Sequence, residues 1–592
     1  MEEISRVFDI LTRYEKTWPD QKIALASKSE GIWRAYSPTE YQEITNNISY
    51  AFLKMGVQPG DRIGIIATNR PEWNMIDMAI MQIGAISVPV YPTISENDYR
   101  HIITHSGMKI VIVEGVEVMN KMIAIQPDAT ELEKIYTFID RGKFPYLAQL
   151  VQMGAENADP EELQRRRDAV RPEDCSTLMY TSGTTGLPKG VMLSHSNIVN
   201  QILNLRQTPA KWSKRVLSFL PLCHAYERML VFLYQYLGMS VYYAQNLGTI
   251  AENLKEVNPT MMSAVPRVLE KFFDKIWASS KNMKPLPKKI FRWAVRVAEE
   301  YKIQDCDRTA WYNFKRWVAD KLVYKKIRQK IGGDFDIIVS GAASIQPRLA
   351  AFFSAIGMPV FEGYGATETS PVIAVSCRDK YGREVGTVGF PLPGVEIKID
   401  ETNSEILCRG HNVMMGYYKD EELTRSVIDA DGWFHTGDMG QWTEHGQLRI
   451  TGRLKNLFKT SMGKYVNPQA IEEKFCESPF IDNMVVFGEN QKFAAALIAP
   501  DFEFLKSWCK GHDIAYTSPE EIIKDDTVYK RFLREINKYN AMFGETEKVK
   551  RFELIGDEWS QKNGILTPTL KVKRQVVQQR YQERIEKLFG TH

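Results

Sequence analysis

The chain has no apolar run approaching the ~20 residues that a membrane-spanning helix needs. It has no surplus of either charge: 76 Lys and Arg stand against 73 Asp and Glu, a formal net of +3. A dedicated nucleic-acid binder carries a stronger basic excess, so no nucleic-acid partner is expected. No CxxC pair is present. The seven cysteines (Cys175, Cys223, Cys306, Cys377, Cys408, Cys476, Cys509) are scattered and odd in number. That pattern makes neither a disulfide framework nor a zinc site, and it suits a reducing compartment. Met1-Glu2-Glu3-Ile4 lacks the basic and apolar regions of a signal peptide. Short-period repeats and low-complexity tracts are missing as well. The expected location is cytoplasmic.

What is present is ordinary globular composition, 44% hydrophobic and 25% charged, spread over 592 residues. That length exceeds one hydrophobic core, so two or more domains are expected. Gly60-Asp61 is a turn signal, and Arg62 to Thr68 reads as a buried strand. Asn69-Arg70-Pro71 then opens a helix. Further strand-type runs follow at Ile86 to Tyr91, Met108 to Glu114, Ser176 to Thr181, Asp336 to Ser340 and Met358 to Glu362. Strands alternating with helices at this spacing predict βαβ units and a largely parallel sheet. After Gly452 a smaller αβ region begins, which places the domain boundary between 1–453 and 454–592.

The strongest signal is Tyr180-Thr181-Ser182-Gly183-Thr184-Thr185-Gly186-Leu187-Pro188-Lys189-Gly190, directly after a predicted strand. Glycines let successive backbone N–H groups approach an anion closely. The hydroxyls donate further hydrogen bonds, and Lys189 adds a mobile positive charge. It is not a Walker A loop, because Gly183 and Gly186 are three apart and Lys189 precedes a glycine.

Two more constellations follow in order. In Glu362-Gly363-Tyr364-Gly365-Ala366-Thr367-Glu368, the glycines permit a tight turn, Tyr364 offers a face to a purine, and Glu368 suits Mg²⁺. Upstream, Ser340-Gly341-Ala342-Ala343 ends a strand with small residues, a flat wall for a base. In Asp431-Gly432-Trp433-Phe434-His435-Thr436-Gly437-Asp438, Asp438 suits a ribose diol, and Arg453 lies fifteen residues on. Each alone is as easily a turn; in this order they point to a nucleotide.

Together these motifs resemble the adenylate-forming superfamily of acyl-CoA synthetases, luciferases and peptide-synthetase adenylation domains. Leu220-Pro221-Leu222-Cys223-His224-Ala225-Tyr226-Glu227-Arg228 and Leu566-Thr567-Pro568-Thr569-Leu570-Lys571-Val572-Lys573-Arg574 resemble its long-chain acyl-CoA synthetase branch. The resemblance implies an α/β fold: a large N-terminal region of stacked αβ layers with a small distorted β-barrel, and a smaller mobile α+β C-terminal domain. It implies ATP, Mg²⁺ and coenzyme A, with a fatty acid turned first into acyl-AMP and then into acyl-CoA. By the same resemblance Thr181, Ser182, Thr184 and Lys189 meet phosphate, His224 lines the pocket, and Lys455 is the hinge. Gly463, Lys464 and Tyr465 border the coenzyme A channel.

Lys571 is the catalytic lysine this resemblance selects, with Lys573 as alternative. The glycine usual in that loop is missing here, and both lysines fit equally on the exposed face of a terminal helix. Rivals are an acyl-acyl carrier protein synthetase, a luciferase-like oxidoreductase and an inactive lipid-binding relative.

Three further stretches have two readings each. Met229 to Tyr243 suits an apolar tunnel wall or a core helix and strand. His101 and His105, four apart on a predicted helix, lack a third metal ligand and read as structural. Lys281 to Lys330 is basic and aromatic, with Lys288, Lys289, Arg292, Lys315, Arg316 and Lys325 beside Trp293, Trp311 and Trp317. It is either a solvated face or a peripheral contact with the anionic inner face of a membrane, where each Lys or Arg contributes ~1 kcal/mol.

Overall fold

The computed structural model describes residues 3–142, 144–182, 187–208, 212–246, 248–280, 283–304, 307–561, 563–567 and 571–590. Two compact units emerge. The first comprises Met1–Lys398, Leu407–Thr436 and Trp442–Leu448; the second comprises Ile399–Ile406, Gly437–Gln441 and Arg449–His592.

The first unit contains two sheets, each largely parallel, in keeping with the stacked αβ layers expected. One runs Phe390–Pro391, Ala374–Val375, Val360–Tyr364, Ile337–Ser340, Met261–Ala264, Arg215–Ser218, Ser240–Tyr243, Leu25–Ser29, Ile32–Tyr36. Its six central strands are parallel and its margins antiparallel. The other runs Gly416–Tyr417, Pro188–Ser194, Cys175–Ser182, Ile86–Val90, Arg62–Ile66, Ile110–Val113, Lys134–Thr137. From Cys175–Ser182 onward it is parallel, and Pro188–Ser194 turns back antiparallel. Strands such as Ile110-Val111-Ile112-Val113 are buried on both faces, as helices covering a parallel sheet require.

The helix expected after Asn69 spans Pro71–Gln82, with proline in its first turn. It packs near Ala225–Tyr236, a helix whose every residue is buried, so the Met229 to Tyr243 stretch is core. Between them Arg228 forks onto Asp77 through Nε (2.9 Å) and Nη2 (2.7 Å), both side chains sealed from solvent. The Ser87 hydroxyl also donates to Asp77.

In the second unit, Ile481–Phe487, Ala494–Pro500 and Val549–Leu554 form a three-stranded sheet. Phe475, Phe480, Ile498 and Phe532 fill one core, and Leu497, Trp559, Ile565 and Val577 another. Apart from that sheet, Val395–Ile399, Glu405–Gly410, Phe434–Trp442 and Leu448–Arg453 form, in this order, a four-stranded half-barrel sheet, in keeping with the small distorted barrel expected.

Candidate active site

Cys175–Ser182 and Pro188–Ser194, which flank the expected phosphate loop, pair antiparallel with Thr181 opposite Lys189 and Ser182 opposite Pro188. Gly183, Thr184, Thr185 and Gly186 lie outside the described residues, as does the Ser182 side chain. Cross-strand pairing alone therefore brings the hydroxyl-bearing Thr181 and the cationic Lys189 to one place.

Lys189 Nζ stands 5.5 Å from the ring centroid of Tyr417, within cation–π range. Tyr417 in turn donates its phenol to Oε1 of Glu368 at 2.9 Å. Burial, then the Glu368 charge, push the Tyr417 pKa far up, so it remains a donor at any working pH. Tyr417 reaches this position because its short strand pairs with Pro188–Ser194, opposite Val191. Nothing in the sequence marks it, and it was not among the expected site residues.

Glu368 lies in the turn Thr367–Thr369 after the Val360–Tyr364 strand. The two glycines before it differ. A Cβ on Gly365 would lie 1.9 Å from the Pro371 carbonyl oxygen, whereas one on Gly363 would meet nothing closer than 3.8 Å. Only Gly365 is sterically required; Gly363 is a strand residue paired with Val375, which corrects the expectation that both serve the turn. Tyr364 is partly buried against the main core. Gly341 is a close-approach glycine, because its Cβ position is only 3.0 Å from the Tyr226 ring. The Tyr226 hydroxyl is tied to the Val339 carbonyl at 2.9 Å and braces that wall. Ala342 follows with a left-handed φ of 68°.

Ser340 pairs in register with Glu362, so the two strand ends stand side by side. Burial lifts the Glu362 carboxyl to about 8, against a smaller opposing pull from the Ile345 N–H. Glu362 is therefore mostly a neutral acid near pH 7. His224 caps the Ala225–Tyr236 helix, its Nδ1 accepting the Tyr226 N–H at 3.2 Å. That bond assigns Nδ1 as acceptor, so the neutral ring carries its proton on Nε2.

His101 and His105 stack with centroids 5.2 Å apart. His101 Nε2 contacts the Pro188 carbonyl at 2.9 Å, and His105 Nδ1 is hydrogen-bonded to the Tyr180 hydroxyl at 2.8 Å. Among the described residues no group of three His, Cys, Asp or Glu is arranged to hold a metal. The pair braces both strands of the hairpin, in keeping with its structural reading.

The second unit holds the rest. Asp438, buried at 7% exposure, pairs with Arg453 Nε at 2.8 Å. Lys571 lies beside them, in a segment closed by Thr567 N–H to Lys571 O (2.8 Å) and Lys571 N–H to Thr567 Oγ1 (3.0 Å). Desolvation first, then the Arg453 charge, lower the Lys571 pKa to about 8, against smaller upward pulls from Asp438 and Glu473. Its side chain is still solvent-exposed, so it is recessed rather than sealed. Glu473 was also not expected from the sequence. Lys573 is instead the cap residue of the Arg574–Arg580 helix. Both lysines precede that helix, which overturns the reading of them as residues of its exposed face. Arg574 anchors the segment on Glu472 and on the Val486 carbonyl.

Lys455 is exposed in a short turn, Leu454–Asn456, that directly follows the Leu448–Arg453 strand. Gly463 adopts φ 77° at the tip of the hairpin Phe458–Lys459/Tyr465–Val466. Lys464 and Tyr465 are exposed beside it.

The AMP-binding enzyme family matches residues 11–418, and the AMP-binding enzyme C-terminal domain matches residues 456–592. Long-chain-fatty-acid–CoA ligase FadD15 of Mycobacterium bovis is 32% identical, over 99% of this chain and 98% of its own. Fatty acyl-CoA synthetase A of Dictyostelium discoideum is 32% identical, over 96% and 88%. Among solved structures, the adenylation domain of a Mycobacterium chelonae carboxylate reductase superimposes with TM-score 0.78 at 19% identity, over 99% of this chain and 91% of that one. O-succinylbenzoate coenzyme A synthetase of Bacillus subtilis, with ATP and magnesium ion, gives 0.68 at 20% identity, over 96% and 98%. The last two likenesses concern the fold.

Proposed function

The chain belongs to the AMP-binding enzyme family, and from that premise we propose that it is a long-chain fatty acid–CoA ligase. Its substrates are a fatty acid, ATP and coenzyme A. The same reading includes peripheral contact with an anionic membrane surface.

A carboxylate is a poor acyl donor because its leaving group would be an oxide. In the first step a carboxylate oxygen attacks the α-phosphorus of ATP. The bond from that phosphorus to the bridging oxygen breaks, and pyrophosphate leaves with the electron pair. Two anions must meet, and unit charges ~4 Å apart repel by ~4 kcal/mol at an effective dielectric of ~20. Lys189, the Thr181 hydroxyl and Lys571 supply the opposing charge and donors. Neutral Glu362 adds no further negative charge. Asp438 and Arg453 orient the ribose and phosphate.

Glu368 fits Mg²⁺. Tyr417 takes one carboxylate oxygen, and among the described residues the other accepts no hydrogen bond. A lone carboxylate completed by substrate phosphates and water is the usual donor set for this ion, which when bound neutralises phosphate charge.

In the second step the coenzyme A sulfur attacks the acyl carbonyl, the carbon–oxygen bond to AMP breaks, and AMP leaves. A thiol of pKa ~8.5 is partly ionised near neutrality, so no protein base is required. Lys455 serves as hinge between the two half-reactions, and Gly463, Lys464 and Tyr465 border the thiol's approach. The boundary of the two functional domains is placed at 453/454.

The observation that carries this reading is the convergence of Lys571 with Asp438 and Arg453, residues from two motifs far apart in the sequence, inside one unit. A pyrophosphate-release assay over fatty acids of graded length, with and without coenzyme A or acyl carrier protein, tests it. Long-chain acids and coenzyme A should give the highest turnover. Preference for carrier protein would make it an acyl-acyl carrier protein synthetase, and no AMP from any carboxylic acid would end the ligase reading.

A further inference from the structure

Residues 281–330 hold fifteen Lys and Arg against five Asp and Glu, although the whole chain is only +3. Within them the Ala310–Ala319 helix buries a single residue, Ala319. It is held down on one side. Tyr312 donates its hydroxyl to the Val297 carbonyl at 2.5 Å, and Arg316 Nε donates to the Ala355 carbonyl at 2.9 Å. On the other side its large aromatics face water: Trp311 is 65% exposed, Phe314 53% and Trp317 58%.

These three are spaced three apart and so run along one face. They stack on one another, with centroids 5.7 Å and 6.1 Å apart. Leu322, also exposed, lies just beyond, and Lys321 and Lys325 flank it in the open. Side chains of this size normally supply core energy, and a contiguous exposed apolar patch marks an interaction surface.

We propose that the Ala310–Ala319 helix and the basic segment after it form a docking face for an anionic lipid bilayer. Trp311, Phe314 and Trp317 enter the headgroup region, and Lys321 and Lys325 meet the lipid phosphates. No helix among the described residues is long and apolar enough to cross a membrane, so the attachment is lateral and reversible. Charge complementarity selects this occupant. A second copy would oppose like charge to like, and a nucleic-acid strand calls for a groove, whereas these rings stand on a convex helix. The inference sharpens the membrane contact in the proposed function, because a fatty acid resides in the bilayer that this face would touch.

Co-sedimentation of the full chain with phosphatidylglycerol–phosphatidylcholine vesicles and with pure phosphatidylcholine vesicles tests it. Binding should favour the anionic vesicles and fall with added salt. Trp311→Ser, Phe314→Ser and Trp317→Ser together should lower it about tenfold or more, as should Lys321→Gln with Lys325→Gln. Thermal melts of both variants should match the parent, since the altered side chains are exposed. Equal binding to neutral vesicles, unchanged binding by the triple variant, a dimer that the triple variant dissolves, or tighter binding to a single-stranded oligonucleotide would each overturn the proposal. AMP formation from a detergent-dispersed long-chain acid without vesicles reports separately on the ligase reading, so either can fail alone.

Discussion

The phenol of Tyr417 donates to the carboxylate of Glu368 across 49 residues of sequence, at 2.9 Å. The same ring lies under the ammonium of Lys189. One aromatic side chain thus links Lys189 to the acid proposed to hold the metal.

Removing only that hydroxyl should loosen Glu368 without disturbing the strand. A hydrogen bond to a charged group contributes ~1.5–3 kcal/mol. Tyr417→Phe is expected to raise KM for Mg²⁺-ATP about tenfold or more, with a smaller effect on KM for the fatty acid. Glu368→Ala should weaken Mg²⁺-ATP use further. Steady-state kinetics at varied Mg²⁺ check both, and normal Mg²⁺ dependence would remove Glu368 from the site.

Lys571 must be protonated to meet an incoming phosphate, and its pKa is lowered to about 8. For the free enzyme, kcat/KM for ATP should therefore decline about tenfold per pH unit above that value. Lys571→Ala should abolish pyrophosphate release while preformed acyl-adenylate still yields thioester. Lys573→Ala should retain release. The opposite pair of results would move the role to Lys573.

Gly365→Ala and Gly363→Ala form a matched pair. The first drives a methyl against the Pro371 carbonyl and should cost ~1–3 kcal/mol, read as a lower denaturation midpoint. The second has room and should leave the midpoint nearly unchanged.

Breaking the sealed Asp77–Arg228 fork leaves one charge buried alone. Arg228→Met should destabilise the first unit by ~3–5 kcal/mol in denaturant titration. Adding Asp77→Leu should recover part of that loss, because no orphan charge remains.

His195 accepts the Val7 N–H at 3.3 Å, and burial depresses its pKa from 6.5 to about 3. Unfolding lets the ring take up a proton that the folded state refuses. Its contribution to stability is therefore full above pH 6.5 and is lost as pH falls toward about 3. From linkage the loss is ~3 kcal/mol by roughly pH 4. His195→Asn should flatten that part of the stability–pH curve; an unchanged slope would show that other groups govern it.

Much of the chemistry was readable in the chain. The strand that carries Tyr180 and the Gly365 to Glu368 turn are local features, since backbone freedom and side-chain type act within a few residues. The proline-led helix began at the expected Pro71, and the buried strands emerged within two residues of their expected ends, because apolar runs of that length have few alternatives. Gly341 was expected to serve as a flat wall; the structure shows instead a close approach to Tyr226 that makes the glycine necessary, and no local pattern connects the two. The resemblance selected Lys571 over Lys573, but composition and spacing alone did not separate the two. Thr567 and Arg574 separate them by closing the segment so that Lys571 stands by Arg453 while Lys573 caps a helix.

By itself, then, the sequence determined which residue types are at hand and in what order: a glycine- and hydroxyl-rich segment, an acid-bearing turn, an Asp–Arg motif and a terminal lysine. Only tertiary structure decided who meets whom. Tyr417 joins Glu368 through sheet register, Asp438 joins Lys571 through the assembly of the second unit, and Trp311, Phe314 and Trp317 face water where the same spacing would equally have suited a core. Side-chain periodicity tells which residues share a face, but what that face meets depends on contacts between segments far apart in the chain.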